Sequence, residues 1–341
     1  KSPILLILTL LLNKKVSSIK TPVVGKEKNH LNIYNLDYET YIKNNNNNNN
    51  KFDFTLFNSE FKRRFPNKEL PTNEFLIWFI GFFEGDGSLI MAKRGDLSIL
   101  ITQSAKDINI LNVIKDTFNV GNIIIQSKKD KTYRWIIQNR KDIYLISLLF
   151  NGNLVLPIRS LKLNMFLSKL NYKLLINNEN LIEFNPNLIL PTLNDTWLLG
   201  FTDSEGCFTC SILNNSNGFK VRYILSQKYE INKYILIHIL YLFNNYLMKH
   251  NETYLNNKNN SLGLIVPHSK QNNWELRING LKNCQNILFY FDKFKLKTIK
   301  YQSYIKFKEI LIMLDNKDHL DPIKRKLIKD LSKKINNKIL E

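Results

Sequence analysis

The sequence predicts an α+β protein made of two pseudo-symmetric αββαββα repeats packed through a pair of matched helices. Three observations carry this. A segment occurs twice, as Trp78-Phe-Ile-Gly81-Phe-Phe-Glu-Gly85-Asp86-Gly87 and as Trp197-Leu-Leu-Gly200-Phe-Thr-Asp-Ser204-Glu205-Gly206, each a few residues after a Pro-Thr (Pro71-Thr72, Pro191-Thr192). The offset is constant, because Gly81 and Gly200, Asp86 and Glu205, and Gly87 and Gly206 all lie 119 positions apart, as expected for two copies of one supersecondary unit. The same succession of alternating and helical apolar patterns follows each copy. Two like halves imply a pseudo-two-fold axis at which the same side chain from each half can meet.

Each repeated segment reads as an amphipathic to fully apolar helix. Thr72 or Asn73 can cap the first and Asn194 or Asp195 the second, and a carboxylate followed by glycine closes each. Gly81 and Gly85 lie on one helix face, as do Gly200 and Ser204; these bare stripes let two helix backbones approach closely. Packing the stripes together brings Asp86 and Glu205 side by side. Two carboxylates so placed repel unless a cation sits with them, and carboxylate oxygens with water suit Mg²⁺ or Ca²⁺.

A hairpin follows each helix. Ser88 to Lys93 and Leu97 to Gln103 alternate around Arg94-Gly95-Asp96, and Cys207 to Leu213 and Phe219 to Gln227 alternate around Asn214 to Gly218. Gln103 and Gln227 end the second strands. The first half continues with a helix near Asp107 to Phe118, strands near Asn122 to Gln126 and Arg134 to Asn139, and helices near Asp142 to Phe150 and Leu161 to Leu170. The second has a helix over Asn232 to Tyr246, strands near Gly263 to Val266 and Trp274 to Ile278, and helices near Leu281 to Phe291 and Ile299 to Leu314. Runs of strand and helix in this order give two sheets joined by a helix pair.

At the repeated segments the chain resembles the LAGLIDADG homing endonuclease and maturase family, with Phe79 to Gly87 and Leu198 to Gly206 standing where the signature stands. Two signatures in one chain look like the single-chain, two-repeat members encoded by organellar group I introns. Phe79 replaces the first Leu of the signature, Ile80 and Leu199 replace Ala, and Thr202 takes an apolar position, while the glycines and terminal acids are intact. The resemblance implies that the signature helices form the central interface through Gly81, Gly85, Gly200 and Ser204. It implies further that Asp86 and Glu205 bind the catalytic divalent cations, Mg²⁺, and that Gln103 and Gln227 support the attacking water. A basic residue before the last helix of each repeat is also implied. Lys297 is the first choice and Lys300 the next in the second half; Arg159 is its counterpart in the first, although Pro157 stands where the second half has Lys297. Each antiparallel sheet would form half of a DNA-binding saddle.

Charge supports the same partner independently. With 49 Lys and Arg against 29 Asp and Glu, the net charge is +20 and the isoelectric point about 9.6, which points to a polyanion, nucleic acid before an acidic membrane surface. Strand alternation lets Lys93, Arg94, Gln126, Lys128, Lys129, Arg134, Lys220, Arg222, Lys228 and Arg277 line one concave surface while the intervening apolar residues face the helices. A length of 341 residues with 44% hydrophobic side chains allows about two domains with real cores. Cys207-Phe-Thr-Cys210 has redox or zinc spacing, but residues three apart on a strand face opposite ways, and only Cys284 and five scattered histidines remain to complete a site. Buried small residues are the expectation, and three cysteines give no even disulfide framework.

The expected organisation is a leader over residues 1–65, a first repeat over 66–175, a linker over 176–190, a second repeat over 191–316 and a basic tail over 317–341, with an amphipathic helix from Pro322 to Leu340. In the leader, the apolar run Ile4 to Leu12 is too short to span a bilayer and Asn44 to Asn50 reads as a disordered tract. No arginine precedes Arg63, so an import signal is not supported; synthesis inside the mitochondrion from an intron reading frame fits the resemblance. The function read from this is a monomeric, site-specific double-strand DNA endonuclease that cuts a long target. The alternative is an RNA maturase assisting its own group I intron with basic surface outside the cleft; a purely DNA-binding module would have no need of carboxylates buried in a basic cleft.

Overall fold

The computed structural model describes residues 51–214, 216–250, 261–268 and 272–335; the apolar run and the Asn tract of the leader lie outside them. The first half begins before its signature, with helix α1 (Thr55–Arg64), in which Phe57 and Phe61 are fully buried. Phe57 meets Phe118 edge-on at 6.0 Å, and Arg64 pairs with Asp142. Residues 54–65, expected in the leader, pack on the first half: two phenylalanines four apart make one apolar stripe, and the first half supplies the core that covers it.

Helix α2 (Asn73–Asp86) crosses the middle of the molecule, with Thr72 Oγ1 accepting from the Phe75 amide at 3.2 Å as its cap. Strands β1 (Gly87–Met91) and β2 (Leu97–Ser104), helix α3 (Ile108–Phe118), strands β3 (Asn122–Ser127) and β4 (Thr132–Ile137), and helices α4 (Arg140–Phe150) and α5 (Pro157–Ile176) complete the first half. The second repeats it with α6 (Trp197–Glu205), β5 (Gly206–Ile212), β6 (Phe219–Lys228), α7 (Lys233–His250), β7 (Gly263–Pro267), β8 (Asn273–Asn279), α8 (Leu281–Gln285), α9 (Leu288–Lys293) and α10 (Lys300–Asp315). Both sheets are antiparallel and four-stranded, in the orders β1-β2-β4-β3 and β5-β6-β8-β7. The α+β class and the two pseudo-repeats stand as predicted.

Three elements differ from the sequence reading. The helix expected near Leu161 extends back to Pro157, whose fixed φ suits the first helical position. The helix expected over Leu281 to Phe291 is broken at Asn286–Ile287, and the break lets Cys284, Ile287, Tyr290 and Phe291 all reach the core. The tail forms helix α11 (Pro322–Ile335), which is docked rather than free: Ile328 and Ile335 are buried, and it lies against α10 and β5. The segment between the halves is also anchored, since Ile182, Ile189 and Leu190 are buried and the Ile189 amide donates to Leu154 O at 2.9 Å.

One apolar core runs through both halves and includes Trp78, Trp135 and Trp197. Burying a large apolar side chain is worth about 1.5–3 kcal/mol, so a core shared across the α2–α6 junction helps to hold the halves together. Among the described residues no helix is long and apolar enough to cross a membrane.

Candidate active site

Helices α2 and α6 meet backbone to backbone. A Cβ built on Gly81 would lie 2.1 Å from Trp197 O, and one on Gly200 would lie 1.9 Å from Trp78 O. No side chain fits at either place, so glycine here is a matter of space rather than of φ. At Gly85 a Cβ would strike Ser204 Oγ at 2.0 Å and come within 3.0 Å of Glu205 Cγ. The predicted stripe is thus the contact, with Ser204 filling the room that Gly85 leaves, and it sets the ends of α2 and α6 side by side with Asp86 and Glu205 adjacent.

Both acids are largely buried, and burial raises the pKa of each above the ordinary range. The Asp86 charge raises Glu205 further. Gln103 Nε2 donates to Asp86 Oδ2 at 2.6 Å, and this bond with the charges of Lys300 and Arg159 offsets part of the rise at Asp86. Neither acid is in an ion pair among the described residues, because both nearby cations are committed to backbone carbonyls. Arg159 donates from Nε to Glu84 O at 2.7 Å, from Nη1 to Gly87 O at 2.8 Å and from Nη2 to Gly85 O at 2.9 Å. Lys300 Nζ donates to Thr202 O and Ser204 O, each at 2.9 Å. Each therefore caps the C-terminal end of one central helix, where a cation is favoured, and each holds positive charge beside the carboxylates.

Lys300, and not Lys297, is the second-half counterpart of Arg159. The match lies in the carbonyls they reach: Arg159 donates to Gly85 O and Lys300 to Ser204 O, and Gly85 and Ser204 are equivalent positions 119 apart. The Lys297 side chain lies over the Trp78 ring, Nζ 5.8 Å from its centroid, and takes no part in the carboxylate cluster. A stretch of Lys-rich sequence gives no register; the helix-end carbonyls that the side chains reach do.

Two further acids, Glu84 and Asp203, escaped the sequence reading. Trp197 Nε1 donates to Glu84 Oε2 at 2.7 Å and Trp78 Nε1 to Asp203 Oδ2 at 2.9 Å, each indole reaching across to the other helix. Both carboxylates are buried, which raises their pKa values, Glu84 to about 7. Their signal was present, since Glu84 and Asp203 repeat at the same spacing of 119 as Asp86 and Glu205, and so do Trp78 and Trp197.

The glutamines fare differently. In register terms they match, because Gly87 pairs with Ile101 and Gly206 with Leu225, two residues before each glutamine. Gln103 touches Asp86, whereas Gln227 Oε1 accepts from Asn232 Nδ2 at 3.2 Å and makes no bond to Glu205. Among the basic candidates, Arg134 stands on the open face of the first sheet, opposite Thr102 and Ile124, and Lys93, Arg94 and Lys128 lie in exposed turns. Lys220, Arg222, Lys228 and Arg277 all stand on the open face of the second sheet, across from Ser211, Thr209, Asn273 and Ile224. The expectation that apolar residues face only the helices fails in the second sheet, where Ile224 and the exposed Leu264 share the open face, and more fully in the first. Its open face carries Ile90, Leu100, Ile124 and Ile136, with Ile90 and Ile124 exposed. On the second, Glu275 is buried between His268 and Arg277, at 2.8 and 2.6 Å.

Cys207 and Cys210 fall on opposite faces of β5, and burial raises the Cys210 and Cys284 thiols to about 12, as expected of inert core residues. No group of three or more His, Cys, Asp or Glu able to hold a metal is present among the described residues. Asp86 and Glu205 by themselves still fit a hard divalent cation: they are adjacent, anionic, free of ion pairs and formed of the oxygen donors such a cation takes, with water or substrate oxygens completing its shell.

A family model described as LAGLIDADG endonuclease matches residues 79–170 and 198–311. In Neurospora crassa a protein named "Probable intron-encoded endonuclease 4" is 32% identical over 271 residues; the match takes in 78% of this chain and 45% of that protein. An uncharacterized cox1 intron-2 protein of Schizosaccharomyces pombe is 26% identical over 269 residues, 75% of this chain and 71% of that one. The fold is similar to that of the LAGLIDADG meganuclease I-AabMI, solved bound to uncleaved DNA. The TM-score is 0.54 at 20% identity, over 76% of this chain and 98% of that one.

Proposed function

Because the chain belongs to the LAGLIDADG endonuclease family, we propose that it is a site-specific double-strand DNA endonuclease of the intron-homing kind. It would act as a monomer and hydrolyse one phosphodiester bond in each strand. The observation that carries this reading is the adjacent pair Asp86 and Glu205 at the joined ends of α2 and α6, one acid from each half. One acid per half suits one cut per strand. The open sheet faces beside the pair carry Arg134, Lys220, Arg222, Lys228 and Arg277, whose charges suit the phosphate backbone.

Asp86 and Glu205 would hold the divalent cation, Mg²⁺, whose chemistry is to lower the pKa of bound water and to offset charge on the phosphate. The chain's own residues supply the rest. Gln103, fixed on Asp86, keeps its other amide hydrogen and its carbonyl for orienting the attacking water. Arg159 and Lys300 are pinned to helix carbonyls, so their charge is already in place when negative charge grows on the phosphate, with no reorganisation left to pay for. The tight α2–α6 contact fixes the spacing of the two half-sites.

The cox1 intron that the Schizosaccharomyces pombe relative is named for supports action in the mitochondrion, on an intron-lacking allele of the host gene. The test is incubation of a plasmid carrying the fused flanking exons with the full chain, in Mg²⁺ and in EDTA, beside Asp86→Asn and Glu205→Gln. Linear product that needs metal and both acids supports the endonuclease. Intact plasmid, with the same preparation binding its intron RNA and speeding its splicing, would make the protein a maturase instead.

A further inference from the structure

The two half-sites match in their acids and differ in what holds their glutamines. Gln103 is bonded to Asp86 at 2.6 Å, while the equivalent Gln227 is bonded to Asn232 at 3.2 Å. The second half also has one more residue between its glutamine and the helix that follows. In the first half Ser104 runs straight into the 3₁₀ turn Ala105–Asp107; in the second, Tyr229 intervenes between Lys228 and the turn Glu230–Asn232. Tyr229 sits at φ +77, a conformation that disfavours a bulky side chain, and its amide is anchored on Asn272 O at 2.6 Å.

What ends the turn differs as well. In the first half it is Asp107, whose Oδ1 turns away to accept from the Ile299 amide at 2.8 Å. In the second it is Asn232, whose Nδ2 is shared between Gln227 Oε1 and Lys228 O. Asn232 is 3% exposed and its Oδ1 has no hydrogen-bond partner, so a single long bond holds Gln227 there. Glu205 meanwhile borders a cavity of about 300 Å³ that Arg159, Gln227, Lys228, Tyr229 and Asn232 also line. That is room for ordered water and for a turned Gln227 side chain.

We propose that Asn232 is a positioning residue that holds Gln227 off Glu205, so that the strand served by Asp86 is cut first and the strand served by Glu205 follows once Gln227 has turned. The inference rests on the endonuclease reading above. One neutral hydrogen bond of this kind biases a rate by roughly three- to tenfold.

The test follows both end-labelled strands of a duplex carrying the fused exons, with the full chain and Mg²⁺. A nicked intermediate is expected, and the strand cut first is the one that Gln103→Ala slows selectively, while Gln227→Ala slows the other. Asn232→Ala should raise the ratio of second-strand to first-strand rate by the same few-fold. The gain should vanish in the double variant with Gln227→Ala, an outcome that general loosening of the fold would not give. In metal-free protein the Gln227 side-chain amide signal in an NMR spectrum should move in Asn232→Ala while that of Gln103 stays. Simultaneous cutting, a first cut on the Glu205 side, or an unchanged ratio in Asn232→Ala overturns the proposal and leaves the endonuclease standing. Bound DNA that is never cut in Mg²⁺ overturns the endonuclease reading and this one with it.

Discussion

The open face of the first sheet carries four apolar residues, Ile90, Leu100, Ile124 and Ile136, and one arginine, Arg134, among small polar side chains, while that of the second carries Lys220, Arg222, Lys228 and Arg277 beside Ile224 and Leu264. Behind those faces the halves are nearly superposable in plan. Each has the same strand order, the same glycine at the helix crossing, a cation capping its central helix, and a tryptophan bonded to the opposite half's buried acid. Side chains at the pseudo-axis meet their own counterparts, so a change in one half strains both; side chains on the open faces have no counterpart across the axis. Symmetry survives where the two halves touch each other and is lost on the faces turned outward.

The harshest way to break the symmetry is at the acids. Asp86→Asn and Glu205→Gln should each lower plasmid linearisation on the order of a thousandfold and leave plasmid nicked in the strand that the intact half-site serves. Loss of both cuts from either change would show that the half-sites share one cation-binding cluster.

The helix crossing comes next. Gly81→Ala and Gly200→Ala should each destabilise by about 3–5 kcal/mol, and by similar amounts, since each new Cβ would fall about 2 Å from a backbone carbonyl oxygen. Gly85→Ser should also destabilise, because Ser204 already fills that space, and adding Ser204→Gly should recover most of the loss in a denaturant melt. Failure of that exchange would mean that the crossing is less symmetric than its backbone.

The buried acids sharpen the comparison through pH. Burial holds Glu84 at about 7 in the folded chain against 4.5 ordinarily, so the native state keeps a proton that the unfolded chain releases. Its stabilisation is fully present below about pH 4.5 and is lost as pH rises through 7. Relative to Glu84→Gln, wild-type unfolding free energy should fall on the order of 3 kcal/mol between pH 4.5 and 7.5. Asp203→Asn should show the same sign, since burial raises that acid too.

The smallest effects belong to the faces. Lys220→Ala or Arg222→Ala should weaken DNA binding at all sequences and reduce the salt slope by about 1. Ile124→Ala should leave that slope unchanged and alter discrimination at one base position by about 1 kcal/mol, as expected if an exposed isoleucine reads a thymine methyl. Equal salt effects from the two faces would remove the distinction between them.

Much of this molecule could be read from the chain. The repeat, its constant spacing and the glycine stripe were enough to bring α2 against α6 and Asp86 beside Glu205, because a stripe without side chains has few other ways to be buried. Helix α1 was missed because Phe57 and Phe61 look like stray aromatics until the first half covers them. Lys297 was preferred to Lys300 because in a lysine-rich stretch only the folded chain shows which ammonium reaches the carbonyls at the helix end.

The sequence by itself determined the two-fold plan, the antiparallel sheets and the pair of terminal acids, since each follows from short-range periodicity and from a repeat visible at fixed spacing. Only the tertiary structure decided that Gln103 reaches its acid while Gln227 turns to Asn232, that tryptophans cross the interface to Glu84 and Asp203, and that isoleucines face outward on the first sheet. The reason is physical: period and propensity say which way a residue points along its own element, but partners for a buried polar group come from segments distant in sequence. Two halves with the same strand register can thus give equivalent glutamines different partners.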